Sequence, residues 1–131
     1  MIKRYSRKEL TDIWSEENKY KIWLEVEIAA AQAMEKLGKI PKGVSSTVKR
    51  KAKINVNRIH AIEAKVKHDV IAFLTSITEK AGINSRYLHQ GMTSSDVLDT
   101  SFNIQLVQSG KVILKDLDQI LKVLKKQARK Y

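Results

Sequence analysis

The 131-residue sequence has no cysteine, a single proline and only five glycines. Without cysteine the chain forms no disulfide, holds no cysteine-based zinc and has no thiol nucleophile, which is compatible with a reducing compartment. So few glycines and prolines leave few places to turn, and the alternation of apolar and polar residues that marks strands is scarce. Because Ala, Leu, Lys, Glu and Gln are abundant, the composition predicts an all-α fold.

Long apolar segments are also missing. Uninterrupted apolar runs are short, as at residues 28–31, whereas a bilayer span needs about 20 residues. The first six residues lack the apolar stretch of a secretory signal. We therefore expect no membrane span and a cytoplasmic location.

Acidic residues are outnumbered: 14 Asp and Glu stand against 25 Lys and Arg, which gives a formal net charge of +11. Positive charge suits anionic partners, so two classes of function stay open: an enzyme with an anionic substrate, and a small basic helical nucleic-acid-binding or adaptor module. The basic run at residues 49–53 has no interleaved aromatic residue or glycine, and no nucleic-acid recognition motif is present. The module is therefore the alternative, and we do not expect nucleic acid as a partner.

Apolar residues at helical spacing divide the first two thirds of the chain. Ser15 predicts the cap of a helix that stops near Gly38, Asn55 predicts the cap of a second, and a third stops at Gly82. Residues 42–53 show this spacing only weakly and are predicted as a short helix or loop. Residues 83–92 are predicted as a loop.

The run from Ser95 to Tyr131 predicts one helix of about 37 residues, roughly 55 Å long. A compact domain of this size has a radius of gyration near 14 Å, so the helix projects and its apolar stripe needs partners from other chains or from further sequence. No Gly or Asn stop follows its basic last turn, so we expect a fragment that is cut in or just after this helix. We expect an N-terminal helical domain at residues 1–92, followed at 93–131 by the first long helix of a bundle domain. The stripe comprises Phe102, Leu106, Ser109, Ile113, Leu117, Ile120, Leu124, Gln127 and Tyr131.

Two polar clusters occur before residue 70. Arg4 and Tyr5 pair a guanidinium with a phenol, which together can hold a phosphate, although an exposed terminus that binds nothing is favoured for that pair alone. Lys67-His68-Asp69 stands directly before an apolar helix, where charge and free N–H groups favour an anion. A capped helix with a solvated histidine is the simpler interpretation of the second cluster.

A third polar cluster runs from His89 to Asp96. One hydroxyl or carboxylate is enough to cap a helix, yet residues 93–96 supply four candidates in a row. Gly91 allows close approach of the backbone. This composition is typical of a turn that binds a carboxylate or a phosphate, and it is also compatible with a plain helix cap.

The remaining candidates are assigned to packing. Trp14 and Trp23 follow helical spacing and are predicted as core or interface aromatics. His60 has no carboxylate nearby before Glu63 and is a weak candidate for any site. No spacing of His, Asp and Glu resembles a metal site, and we expect neither a metal nor a cofactor.

Several motifs occur in a characteristic order: Arg4-Tyr5, Tyr20-x-x-Trp23-Leu24-Glu25-Val26-Glu27, Ile40-Pro41-Lys42-Gly43, Lys67-His68-Asp69-Val70-Ile71-Ala72-Phe73, and Gly91-Met92-Thr93-Ser94-Ser95-Asp96-Val97-Leu98-Asp99-Thr100. Over essentially the whole chain, this order resembles the N-terminal part of the adenylosuccinate lyase family, within the fumarase/aspartase superfamily. The resemblance implies an enzyme of purine biosynthesis that releases fumarate from adenylosuccinate, giving AMP, and from the corresponding succinyl-carboxamide ribotide. It also implies a homotetramer with a central bundle of long helices and active sites built from three subunits.

The same resemblance implies roles for single residues. In that family the acid histidine lies in a Gly-Arg-Thr-His segment and the base serine in a Ser-Ser-x-Met-Pro-x-Lys loop, and neither segment occurs in these 131 residues. Only His68 is expected to contribute to catalysis here, and the chain alone is expected to be inactive. The implied substrate-binding residues are Arg4 and Tyr5 at the nucleotide end, Lys67, His68 and Asp69 around the phosphate, His89 near the nucleotide, and Thr93 and Ser94 at the succinyl part.

Overall fold

The computed structural model describes residues 3–131, and these contain six α-helices, two short 3₁₀ helices and no strand. The prediction of an all-α fold is confirmed. The 3₁₀ helices are Lys3–Tyr5 and Ile83–Tyr87. The α-helices are α1 (Lys8–Ile13), α2 (Glu16–Lys36), α3 (Val44–Lys51), α4 (Val56–Val66), α5 (Asp69–Ala81) and α6 (Ser94–Lys130).

The helices begin where short polar side chains occupy the first free N–H groups. The Ser15 hydroxyl accepts the Asn18 N–H at 3.2 Å, and the Asn55 side chain accepts the Arg58 N–H at 3.0 Å. Both predicted caps are confirmed. The long helix was predicted from about Ser95 and begins at Ser94.

Two local predictions need correction. The predicted loop at residues 83–92 opens with a 3₁₀ helix, because Ser85 N–H donates to Gly82 and Leu88 N–H donates to Ser85, each at 3.0 Å. Helix α1 was not predicted, since six residues are too few to show a helical period. The basic stretch at residues 42–53, predicted as a short helix or loop, contains α3.

The core is centred on three aromatic rings from α2 and α5. Tyr20 stacks on Phe73 with ring centroids 5.9 Å apart, and Trp23 meets Phe73 edge-on at 5.5 Å. All three are almost fully buried, as is Val97 at the start of α6. Trp23 is therefore a core aromatic as predicted, and α6 is anchored to the same core.

Helix α6 is covered only along its first half. The Trp23 indole N–H donates to the Ser101 hydroxyl at 2.9 Å, and the Gln105 side chain donates to the Ile13 carbonyl at 2.8 Å. Trp14 lies 5.9 Å from Phe102 and stays 42% exposed, as an interface aromatic would. The Ser101 and Gln105 contacts lie on a different face from the apolar stripe, whose large apolar side chains are exposed along both halves, as predicted: Phe102, Leu106, Ile113, Leu117, Ile120 and Leu124 are between 45% and 58% exposed. In the described part of the chain, no helix combines the length and apolar character that crossing a membrane requires.

Candidate functional site

The start of α5 holds the predicted Lys67-His68-Asp69 cluster. His68 is the N-cap of α5, and its Nδ1 accepts the Ile71 N–H at 3.4 Å. The Asp69 carboxylate accepts its neighbour's backbone N–H, from Val70, at 2.7 Å. The same Nδ1 also lies 3.6 Å from the Asp69 carboxylate, and Nε2 of His68 makes no hydrogen bond among the described residues. Lys67 ends α4 in the left-handed conformation with φ 55°, and its side chain is exposed.

The start of α6 divides the predicted hydroxyls between two tasks. Asp96 Oδ2 accepts the backbone N–H of Thr93 at 2.7 Å and the Thr93 hydroxyl at 3.1 Å. The Thr93 backbone N–H, the Thr93 hydroxyl and the charge of His89 together lower the pKa of Asp96. The Ser94 hydroxyl has no hydrogen-bond partner among the described residues. Thr93 and Asp96 therefore close the helix start, and the Ser94 hydroxyl is not used in the cap.

His89 is held against a buried carboxylate. Its backbone N–H donates to Glu27 Oε2 at 2.8 Å, and its ring Nδ1 lies 2.7 Å from Glu27 Oε1. Glu27 lies on α2 and is 0% exposed. His89 itself has φ 61°, a conformation that residues other than glycine rarely adopt, and Gly91 follows with φ 72°. The turn that brings His89, Thr93 and Ser94 together is thus fixed from the core.

The N-terminal pair lies elsewhere. The Arg4 guanidinium sits over the Tyr5 ring at 4.9 Å, and both side chains are exposed. Nearby Arg7 pairs with Asp116, which is 22 residues beyond Ser94 along α6, or about 33 Å. Ile13, at the other end of α1, contacts Gln105, so the chain before Arg7 leads away from Ser94, and within one chain the Arg4-Tyr5 pair and the Ser94 turn lie far apart.

The two helix starts remain separate clusters in their contacts. Among the described residues, no hydrogen bond or ion pair joins Lys67, His68 or Asp69 to the turn at residues 89–94. The implication that both clusters bind one substrate therefore stays a prediction. No group of three or more metal-ligating side chains occurs in the part of the chain that the structure describes.

His60, a weak candidate for any site, has a carboxylate partner from another helix. Its Nε2 lies 2.9 Å from Glu16 Oε1, because the start of α2 meets α4 in the fold although the two residues are 44 positions apart.

Burial raises the pKa of Tyr20 to about 12, with further contributions from Glu16, Glu63 and Asp69. The Tyr20 phenol is therefore protonated throughout the physiological range.

Sequence reasoning missed Glu27 as the buried partner of His89. A signal was present, because Glu27 stands four residues after Trp23 and four before Ala31, on the apolar side of α2. A carboxylate in that position is buried when the helix packs, and a buried carboxylate needs partners.

The comparison with known proteins identifies the family. The family described as Lyase matches residues 3–131. The chain belongs to this lyase family. The predicted resemblance to a lyase family is confirmed.

The lyase chain is 47% identical, over all of its 131 residues, to adenylosuccinate lyase of Thermotoga maritima. It spans about 30% of the length of that curated relative. Two solved structures share its fold. Fumarate lyase from Mesorhizobium sp. BNC1 superposes with a TM-score of 0.79 at 22% identity, covering 90% of this chain and 30% of that one. The β-carboxy-cis,cis-muconate cycloisomerase of Acinetobacter calcoaceticus sp. ADP1 superposes with a TM-score of 0.84 at 25% identity, covering 95% of this chain and 31% of that one.

Proposed function

We propose that the chain is the N-terminal part of an adenylosuccinate lyase, a cytoplasmic enzyme that acts without a metal or cofactor. It would release fumarate from adenylosuccinate to give AMP, and from the succinyl-carboxamide ribotide. The 47% identity to the Thermotoga enzyme over the whole chain carries this proposal.

The reaction explains why such residues are grouped at helix starts. A base removes a proton from the carbon next to a carboxylate, and the electron pair of that C–H bond forms the new double bond. The C–N bond breaks while an acid protonates the departing nitrogen. The substrate's carboxylates and the negative charge that develops during proton removal need donors and positive ends of helices. In the proposal, Thr93 and Ser94 bind the succinyl part at the start of α6, and Lys67, His68 and Asp69 contact the substrate around its phosphate. The Nε2 of His68 has no hydrogen-bond partner among the described residues and is available for that purpose.

The nucleotide end would be bound by Arg4 and Tyr5, with His89 nearby. Because Arg4 and Tyr5 lie far from Ser94 in one chain, a single site that uses both needs residues from different subunits. The exposed stripe of α6 supports such an assembly. Exposed Leu114 and Leu121 widen the stripe beyond Ile113, Leu117, Ile120 and Leu124. A single partner helix would leave part of this apolar surface in water, so more than one partner is needed.

We propose a homotetramer in which α6 joins a central helical bundle. In this arrangement residues 1–92 form an N-terminal helical domain, and residues 93–131 begin the bundle domain. Val97 supports a firm connection between the two, because it is buried in the core that α2 and α5 form.

The test is an assay of the full-length protein with adenylosuccinate, in which fumarate release is followed by absorbance. We expect turnover by the full-length protein and none by the 131-residue chain. A full-length protein that leaves adenylosuccinate intact but releases fumarate from another succinyl-bearing amine would assign it a different substrate. Fumarate release by the chain alone would show that the catalytic groups lie within it.

A further inference from the structure

Glu27 uses both of its carboxylate oxygens on a single residue. One oxygen accepts the backbone N–H of His89 at 2.8 Å, and the other lies 2.7 Å from the Nδ1 of the same ring. Glu27 is 0% exposed, and the His89 side chain is 18% exposed. This is the only ion pair with a fully buried member in the described part of the chain.

The arrangement determines which ring nitrogen carries the proton. A carboxylate accepts hydrogen bonds and donates none, so the Nδ1 that faces it carries a proton whether the ring is neutral or charged. Nε2 is then the nitrogen left for a ligand. His68 differs, since its Nδ1 is shared between the Ile71 N–H at 3.4 Å and the exposed Asp69 carboxylate at 3.6 Å. In the neutral ring, His89 therefore presents an acceptor at Nε2.

The backbone bond from His89 adds a second constraint. His89 has φ 61°, a left-handed conformation that is unfavourable for any residue with a side chain. Such a conformation persists only where neighbouring contacts hold it. The bond to Glu27 Oε2 fixes the residue in this conformation, directly before the turn that carries Thr93 and Ser94. A purely structural carboxylate would be satisfied by any two donors, whereas this one takes the main chain and the ring of one candidate substrate-binding residue.

We propose that Glu27 is a positioning residue that fixes the ring orientation and the Nδ1 proton of His89, so that Nε2 faces the substrate. Glu27 itself does not touch the substrate. This role rests on the proposed function, because it assumes that His89 binds the substrate.

The decisive substitution is Glu27→Gln in the full-length protein. The His89 backbone N–H is a fixed donor, so the glutamine carbonyl must accept it, and the amide NH₂ is left facing Nδ1. Nδ1 then becomes the acceptor and the proton moves to Nε2. We expect KM for adenylosuccinate to rise about ten- to hundredfold, the size of effect seen for residues that orient metal-ligating histidines. We expect kcat to change less than about threefold, since His89 contacts the substrate before and during the reaction alike.

The matched control is Glu35→Gln on the same helix. Glu35 also accepts a backbone N–H from another segment, that of Ser45 at 2.6 Å, but it caps α3 and does not contact His89. We expect its KM and kcat to match those of the wild type. In a double-mutant cycle, Glu27→Gln should raise KM little further when His89→Ala is already present, because the two residues act as one unit.

A second readout does not depend on turnover. Nitrogen NMR spectra of the full-length protein, labelled with ring-¹⁵N histidine and assigned by the signals lost in His89→Ala, should show a protonated Nδ1 in the wild type and a protonated Nε2 in Glu27→Gln. An unchanged ring proton in Glu27→Gln, or a fall in kcat at constant KM, would overturn the positioning role, since a loss of folded protein gives the latter pattern. A wild-type protein that fails to cleave adenylosuccinate rejects the proposed function, and the ring spectra then decide the role of Glu27 alone.

Discussion

The two halves of α6 differ in what covers them. Along residues 94–109, Val97, Ser101 and Gln105 are buried against α1, α2 and the core. Along residues 110–131, all of which the structure describes, no residue is buried, although apolar side chains recur through the whole segment. The first half is fixed by contacts within the chain and carries the candidate site. The second half has the composition of a helix whose contacts come from outside these 131 residues.

The largest effect is expected from placing charge in the uncovered half. In the full-length protein, the pair Leu117→Glu and Leu124→Glu should prevent assembly, because each unpaired carboxylate buried in a bundle costs about 3 kcal/mol or more. We expect smaller particles in light scattering and loss of fumarate release. The control pair is Lys115→Glu with Lys122→Glu, which has the same spacing on the opposite face of α6. Variants with charged stripes that still assemble and turn over would contradict the tetrameric bundle.

The next largest effect concerns the site at the helix starts. His68→Ala or Ser94→Ala in the full-length protein should lower kcat/KM by about ten- to a thousandfold, or about 1.4 to 4 kcal/mol of transition-state stabilisation. Stability should separate the two variants. Ser94→Ala removes a hydroxyl that has no partner in the described chain, whereas His68→Ala removes a cap and should cost at most about 1 kcal/mol.

Kinetics and a urea unfolding curve on each variant provide the measurement. The control is Ser46→Ala, a serine in the first turn of α3 whose hydroxyl donates to Gly43. Its turnover should equal that of the wild type. Normal kinetics in both site variants, together with lowered stability, would reduce these residues to helix caps.

A smaller effect is expected within the covered half of α6. Ser101→Ala leaves the buried Trp23 indole N–H without its acceptor and should lower the free energy of unfolding by about 1–3 kcal/mol. Ser109 provides the matched comparison two turns later, because its buried hydroxyl has no partner in the described chain. Ser109→Ala should leave stability unchanged or raise it. Equal losses in urea unfolding for the two variants would refute this assignment of the contacts.

The smallest effect concerns the pH dependence of the α6 cap. The pKa of Asp96 is lowered in the folded chain, mainly by the Thr93 backbone N–H. A lowered folded pKa gives stability that is present above the unfolded value and is lost as the pH falls through the folded value. The wild type should therefore lose its small stability advantage over Asp96→Asn below about pH 4. Thermal unfolding of both proteins between pH 2 and 7, roughly the range over which carboxylates titrate, measures this. A constant difference across that range would argue against a charged cap.

The features that sequence predicted well are local. Ser15 and Asn55 cap helices through residues three positions away, and the long helix is marked by its own spacing. The surplus of hydroxyls at residues 93–96 likewise pointed to the start of α6. Short-range patterns of this kind need no knowledge of which helices pack together.

The features that sequence missed join distant parts of the chain. Glu27 and His89 are 62 residues apart, and Arg7 and Asp116 are 109 apart. Each pairing follows from how α2 and α1 lie against later segments, which no local spacing encodes. The division of tasks between Thr93 and Ser94 was also hidden, because it depends on which hydroxyl Asp96 engages.

The two tryptophans provide separate optical reporters of these regions. Trp23 is 2% exposed, packed against aromatic rings and hydrogen-bonded to Ser101, so its fluorescence is shielded from iodide. Trp14 is 42% exposed beside Phe102, where the stripe of α6 begins, so iodide quenches it. A partner helix that covers this end of the stripe would protect Trp14 and leave Trp23 unchanged. Association of the chain can therefore be followed through quenching of one native side chain, without any added label.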